Sequence, residues 1–187
     1  FRTMCYCRRA RQSIGSSTFS SSVYLETEAI KLFGTNEQKE NYLPKLASGE
    51  IIATFALPES AMEPNPDNIQ STFSSGKLTG TKMPVPDGSY ADVCVVVVRD
   101  KTSDSIRMAI VDLSAEGIER KSLSTLDQTR DHAEIIFNNT PSEIMNSSGD
   151  GWSDVQQILD IAAVLISFEQ IGGAEASLNM AKDCLLY

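Results

Sequence analysis

The stretch LFGTNEQKENYLPKLASGEIIATFALPE, residues 32–59, decides the fold. Phe33-Gly34 closes one helix, with Gly34 free to take the left-handed conformation at its C-terminal cap. Thr35 caps the next helix, and Gln38, three positions on, completes a capping box. Gly49 ends that helix, and 51–57 reads as a buried strand. Helix, helix and strand within so short a span mark a junction between domains.

Outward from the junction the texture changes twice. Upstream, Val23, Ala29, Ile30 and Phe33 fall at helical spacing, with Ser22 as N-cap. Pro44 lies inside the second helix and removes one of its backbone bonds. Downstream, strands are expected at 51–57, 69–74, 77–83, 92–99, 106–112, 118–122 and 133–138. Ser75-Gly76, Asp87-Gly88 and Ser103-Asp104 supply turns. Strands so spaced, with no helix between them, predict an antiparallel barrel or sandwich. Residues 93–98 are apolar at every position, so that strand is central and covered on both faces. Asp87, at a turn, is expected to tolerate alanine, and Val96 is not expected to tolerate aspartate.

From Gly151 one long helix is expected. Val155, Ile158, Leu159, Ala162, Leu165 and Ile166 form one stripe, while Ile161, Val164, Phe168 and Ile171 fill much of the remainder. A helix apolar all round must be buried all round. Nothing after Tyr187 is present to cover it, so the chain reads as truncated or in need of a partner.

Composition narrows the function classes. The chain has 187 residues, 41% of them hydrophobic, which suffices for a packed core. A net charge of −9 argues against nucleic acid, whose phosphates need a basic surface. No apolar run reaches the length of a membrane span. The four cysteines, Cys5, Cys7, Cys94 and Cys184, are too scattered for a disulfide framework, and a reducing compartment fits them. Cys5-x-Cys7 lacks the second pair that a zinc site requires, so no metal is assigned. His132 is the only histidine and no Gly-x-Ser-x-Gly elbow accompanies it, so it is read as a polar strand-start residue rather than part of a triad. Gly149-x-Gly151 opens a helix, but Asp150 between the glycines opposes an anion. Gly172-Gly173-Ala174 is read as a place for close helix packing. Residues 1–21, with Arg2, Arg8, Arg9 and Arg11 and then many serines, read as a transit peptide or as a disordered, extraneous segment.

Several phrases carry a resemblance. Gly34-Thr35-x-Glu37-Gln38-Lys39, Tyr42-Leu43-Pro44-x-Leu46-Ala47-Ser48-Gly49-Glu50, Gly80-Thr81-Lys82, Ala91-Asp92-Val93, Phe137-Asn138-x-Thr140-Pro141 and Gly172-Gly173-Ala174 together resemble the acyl-CoA dehydrogenase family. The likeness covers roughly residues 20–182. It implies an α+β chain: the end of a helical N-domain (22–49), an antiparallel β-barrel or sandwich middle domain (50–145), and the first helix of a helical C-domain (150–187). Helices flank the middle domain, and the family fold is truncated at both ends.

What the resemblance implies about chemistry is FAD-dependent α,β-desaturation of an acyl-CoA thioester to a trans-2-enoyl-CoA. Electron-transfer flavoprotein is then the acceptor, and a homo- or hetero-oligomer in the bacterial cytoplasm, or alternatively the mitochondrial matrix, is the setting. Flavin contacts fall on Phe55, Leu57 and Pro58 at the first strand's exit, and on Pro84 and Pro86, where the family commonly carries Trp and Thr. Pro58 stands at a Thr position. Proline offers neither hydroxyl nor N–H, which leaves flavin retention by this chain open. Acyl-CoA contacts fall on Pro64 and on Asp160, with Ala162 and Ala163 replacing the family's Thr and Arg. Glu169, nine residues past Asp160, lies on about the opposite helix face, and no catalytic residue is assigned in this chain. The alternatives are a non-catalytic subunit with a degenerate flavin site, paired with an active homologue, and an acyl-CoA oxidase.

Overall fold

The computed structural model describes residues 20–127 and 129–185; the reading of residues 1–21 falls almost wholly outside them. A π-helical turn, Ser20–Thr27, runs straight into α1, Glu28–Phe33, because Thr27 keeps right-handed helical angles. Ser22 is therefore inside the helical run and is not its N-cap. Its hydroxyl instead donates to the Ala53 carbonyl at 2.7 Å and accepts the Ala53 N–H at 2.9 Å, fastening the helix to the first strand.

Gly34 also departs from expectation. It is extended (φ −63°, ψ 147°), not left-handed. Its N–H bonds to the Ile30 carbonyl, and a Cβ there would lie 2.4 Å from that same oxygen. Close approach, rather than handedness, demands the glycine. The capping box on α2, Asn36–Ser48, forms as expected: Gln38 N–H donates to Thr35 Oγ1 at 3.2 Å and Thr35 N–H to Gln38 Oε1 at 3.0 Å. Gly49 closes this helix in the left-handed region at φ 74°.

Among the described residues eight strands follow: β1 Ala53–Ala56, β2 Thr72–Ser74, β3 Lys77–Pro86, β4 Val93–Asp100, β5 Ile106–Asp112, β6 Ile118–Ser122, β7 His132–Pro141 and β8 Glu143–Ile144. The order is β6-β7-β3-β2-β4-β5-β8, with β1 beside β4, so the sheet is an open sandwich, not a closed barrel. It is mixed, not wholly antiparallel. β1 and β2 run parallel to β4. The connection from Ala56 to Val93, which contains the β2–β3 hairpin, is long enough to bring the chain back in the same direction.

β4 divides the core. Val93, Val95 and Val97 pack with Phe55, Ile110 and the helical residues Ile30, Phe33 and Ile158. Cys94, Val96 and Val98 pack on the other face with Ala56, Leu78, Ile135 and Phe137. All six are buried, as the unbroken apolar run predicts. His132 begins β7, in keeping with its reading as a strand-start residue.

The closing helix α3, Gly151–Leu185, starts against β5 so tightly that a Cβ on Gly151 would meet the Ile106 carbonyl oxygen at 1.8 Å. Asp154 stabilises its first turn by accepting from Ser147 Oγ at 2.6 Å and Ser148 N–H at 3.1 Å. Val155, Ile158, Ala162 and Leu165 are buried, the last two against Tyr24. Burial on all sides is not met: Val164, Ile166, Ile171, Leu178 and Met180 are exposed, and Gly173 faces open space. By length and composition Gly151–Cys184 would suffice to cross a membrane, a test that the core helices of water-soluble proteins also pass.

Two outcomes are expected. Val96→Asp places an unpaired charge inside the second of these cores and should abolish the cooperative thermal transition followed by circular dichroism, whereas Glu119→Ala on exposed β6 should shift it little. The second concerns Glu26, which is fully buried with no hydrogen-bond partner for either carboxyl oxygen among the described residues. Burial pushes its carboxyl well above the ordinary 4.5. A carboxyl raised by folding contributes its full stability below the unfolded value and loses it as pH climbs towards the folded one. Glu26→Gln should therefore gain stability relative to the wild type as urea melts move from pH 4.5 to pH 7. A constant difference between the two would clear Glu26 of this role.

Candidate functional site

The exit of β1 and the far end of β3 lie side by side. The Pro58 carbonyl accepts Met83 N–H at 3.0 Å, and Thr54 Oγ1 donates to the Pro86 carbonyl at 2.5 Å. Leu57, Pro58, Pro84 and Pro86 thus come together at one end of the sheet, the rim where β1 leaves and β3 finishes. Phe55 does not present its side chain there. Strand alternation turns it, with Leu57, into the core beneath α1 and α3, while Thr54 and Ala56 face β3.

One side chain joins the two segments, and the sequence reading passed over it. Lys82 on β3 is completely buried. Its ammonium donates to the Leu57 carbonyl at 3.1 Å and to Glu59 Oε1 at 2.7 Å. Glu59 also accepts Gln70 N–H at 2.8 Å and Ser71 N–H at 3.0 Å, so a single carboxylate gathers the β1 exit, the approach to β2 and β3. Burial pulls the Lys82 ammonium below the ordinary lysine value, against the pull of Glu59. Burial pushes the Glu59 carboxyl up, but Lys82 and the two amides outweigh it and hold it below the usual carboxylate range. A trace of this was present in the sequence: Leu78 and Lys82 share the inward phase of β3, an unusual place for a lysine.

The edge continues into a polar knot. Asp87 has a left-handed backbone (φ 57°) and is buried. Its carboxylate accepts from Tyr90 OH at 2.5 Å and from the Ser21 hydroxyl on the first helix. Burial and this bond push the Tyr90 phenol up. Asp87 is therefore a tie between the helix and β3, not the tolerant turn residue that the sequence suggested.

The expected acyl-CoA residues are not joined to one another. Pro64 is half-buried in the loop before the 3₁₀ turn Pro66–Asn68. Asp160 is exposed on α3 and has no bonded partner among the described residues, while Glu169 lies on the buried stripe of the same helix. A cavity of about 370 Å³ between α2 and the sandwich, bordered by Lys45, Tyr90, Asp112 and Arg120, contains none of the expected site residues.

The edge can be tested as a flavin platform. Pro58, Pro84 and Pro86 have no N–H and no hydroxyl, and the carbonyls of Leu57, Pro58 and Pro86 already have donors. Side-chain hydrogen bonds to a flavin ring are absent from these positions. What remains at these positions is proline and main chain, so any seat for a flavin here would have to be built from main-chain groups and apolar contact.

Comparison with known proteins bears on the family. The model of the acyl-CoA dehydrogenase N-terminal domain matches residues 4–50. An acyl-CoA dehydrogenase of Bacillus subtilis (strain 168) is 28% identical over 169 residues, 84% of this chain and 45% of that protein. The mitochondrial very long-chain specific acyl-CoA dehydrogenase of Bos taurus is 38% identical over 100 residues, 50% of this chain and 15% of that one. A glutaryl-CoA dehydrogenase from Mycobacterium smegmatis, solved in complex with FADH2, superposes with a TM-score of 0.74 at 27% identity, covering 86% of this chain and 43% of that one. The chain spans less than half the length of each of these relatives.

Asp87→Ala should cost about 2 kcal/mol or more in urea unfolding, because it strips two hydroxyl donors of their acceptor and places alanine in the left-handed region. A loss below about 0.5 kcal/mol would show that the knot does not hold the first helix.

Proposed function

This chain belongs to the acyl-CoA dehydrogenase family, and from that premise we propose that it serves FAD-dependent α,β-desaturation of an acyl-CoA thioester to a trans-2-enoyl-CoA. The observation that carries the reading is the fold shared, at 27% identity, with a dehydrogenase that holds FADH2. In this reading the division is helical N-domain 22–49, β-domain 50–145 and C-domain helix 150–187. Bound FAD would supply the hydride acceptor. The chain's own part is to seat it: the main chain at Phe55, Leu57 and Pro58 would approach its ring, with Pro84 and Pro86 as apolar cover. Pro64 and Asp160 would meet the acyl-CoA. No catalytic base is assigned among the described residues. Electron-transfer flavoprotein as acceptor, an oligomeric assembly, and a bacterial cytoplasmic or mitochondrial matrix setting belong to the same proposal.

A specific observation favours a second reading. The missing donors at Pro58, Pro84 and Pro86 suit a non-catalytic subunit with a degenerate flavin site, paired with an active homologue.

Flavin retention separates the two. The full chain is incubated with FAD, freed of excess, and its visible spectrum recorded, alongside Pro86→Thr. The dehydrogenase reading expects bound flavin in both, held roughly fivefold more tightly by the variant, as one added hydrogen bond provides. Bound flavin in neither would favour the non-catalytic subunit.

A further inference from the structure

We infer that Lys82 is a positioning residue for the flavin-facing edge: clamped between the Leu57 carbonyl and Glu59, it fixes the exit of β1 so that main-chain groups do what hydroxyl side chains at 58 and 86 do not. The inference rests on the FAD reading above and deepens it.

The clamp has the features of a purpose-built support. A fully buried lysine is rare without a partner, and this one has both a carboxylate and a carbonyl. Glu59, 12% exposed, keeps two backbone amides of its own, so it would not be stranded if the lysine were removed. The pair is therefore not the sole support of Glu59. What only Lys82 supplies is the link from β3 to the Leu57 carbonyl, and that link stands beside the Met83–Pro58 backbone bond. Together they hold the β1 exit at two successive carbonyls against the strand that carries Pro84 and Pro86. A site without side-chain donors depends more heavily on such support, because main-chain amides bind a planar ring only while the segment bearing them is held in register.

Lys82 itself touches no cofactor in this account; it acts through Leu57 and Glu59. A purely structural lysine would change melting temperature and leave flavin affinity per folded molecule untouched. A positioning lysine changes the affinity and the environment of the bound ring as well.

The test uses the full chain and three variants, Lys82→Met, Lys82→Arg and Glu59→Gln, each checked for folding by circular dichroism before titration with FAD. Readouts are the dissociation constant for FAD, the band shape of the bound flavin in the visible, and amide exchange across residues 57–71 without flavin. Lys82→Met is expected to bind FAD about tenfold or more weakly, the equivalent of one charge-assisted hydrogen bond, with blurred flavin bands and faster exchange. Lys82→Arg, which keeps the donor and the charge, should recover much of the affinity. If Lys82→Met does not fold, Glu59→Gln, which is partly exposed and retains an acceptor, carries the same comparison with a smaller loss. Wild-type affinity in the folded variants overturns the inference and leaves the FAD reading intact. Absence of flavin from the wild type overturns the FAD reading, and this inference with it.

Discussion

A strand that is apolar on both faces cannot sit at a surface, and the placement of β4 governs the rest of the molecule. Val93, Val95 and Val97 need one apolar layer, and Cys94, Val96 and Val98 need another. The hairpins of β3, β6 and β7 close over the second face. α1, residues of α2 (Tyr42, Leu43 and Leu46) and the first half of α3 close over the first, which draws the helices onto the sandwich. Each buried valine side chain contributes on the order of 2 kcal/mol, so the two-sided demand outweighs any preference of the flanking segments for other partners. Parallel pairing of β1 with β4 follows. β1 too is buried along its whole length, and the place beside β4 covers both of its faces.

The same arrangement creates the candidate site. With β1 against β4 and crossing close to β3, the exit of β1 must pass the proline-bearing end of β3, where neither segment can offer side-chain donors. Rigidity there is supplied from below, through a buried ammonium and one carboxylate that collects the adjacent amides of Gln70 and Ser71. Chemistry at this edge is thus a matter of main-chain placement, and its polar support lies one layer beneath the surface.

Legibility in the sequence followed the range of the interactions. The Thr35–Gln38 box was readable because all its atoms lie within four residues, and the limits of β5 and β6 were readable from their turns. Gly34 was identified as a required glycine for the wrong reason: its phase in the helix is local, but the Ile30 oxygen that excludes a Cβ is visible only in the folded chain. Ser22 looks like a cap in one dimension and is a bond to Ala53 in three. β8, two residues long, has no pattern of its own and exists because Ile110 and Ala109 offer it an edge. The Lys82–Glu59 clamp spans a separation of 23 residues, and nothing in either neighbourhood names the other. Asp87 misled because turn chemistry, Asp-Gly after a strand, explained it sufficiently without Ser21 and Tyr90. The five flavin positions were assigned by likeness alone, and the burial of the Phe55 side chain in the core shows only in the folded chain.

The glycine at the start of α3 has a mechanical consequence. Gly151 is pressed onto the Ile106 carbonyl, and the buried stripe runs through Leu165 and Glu169 to Gly172, so the 35-residue helix is a beam seated along its first two thirds and exposed beyond. At about 1.5 Å per residue the beam is roughly 50 Å long, and a rotation of about 5° at its root would carry the far tip through some ~4 Å. A methyl group at position 151 would have to displace the helix or the strand, and a small turn of the helix is one such displacement. The smallest residue in the chain therefore sets the aim of its longest element, and with it the direction in which the apolar residues from Val164 to Met180 are presented.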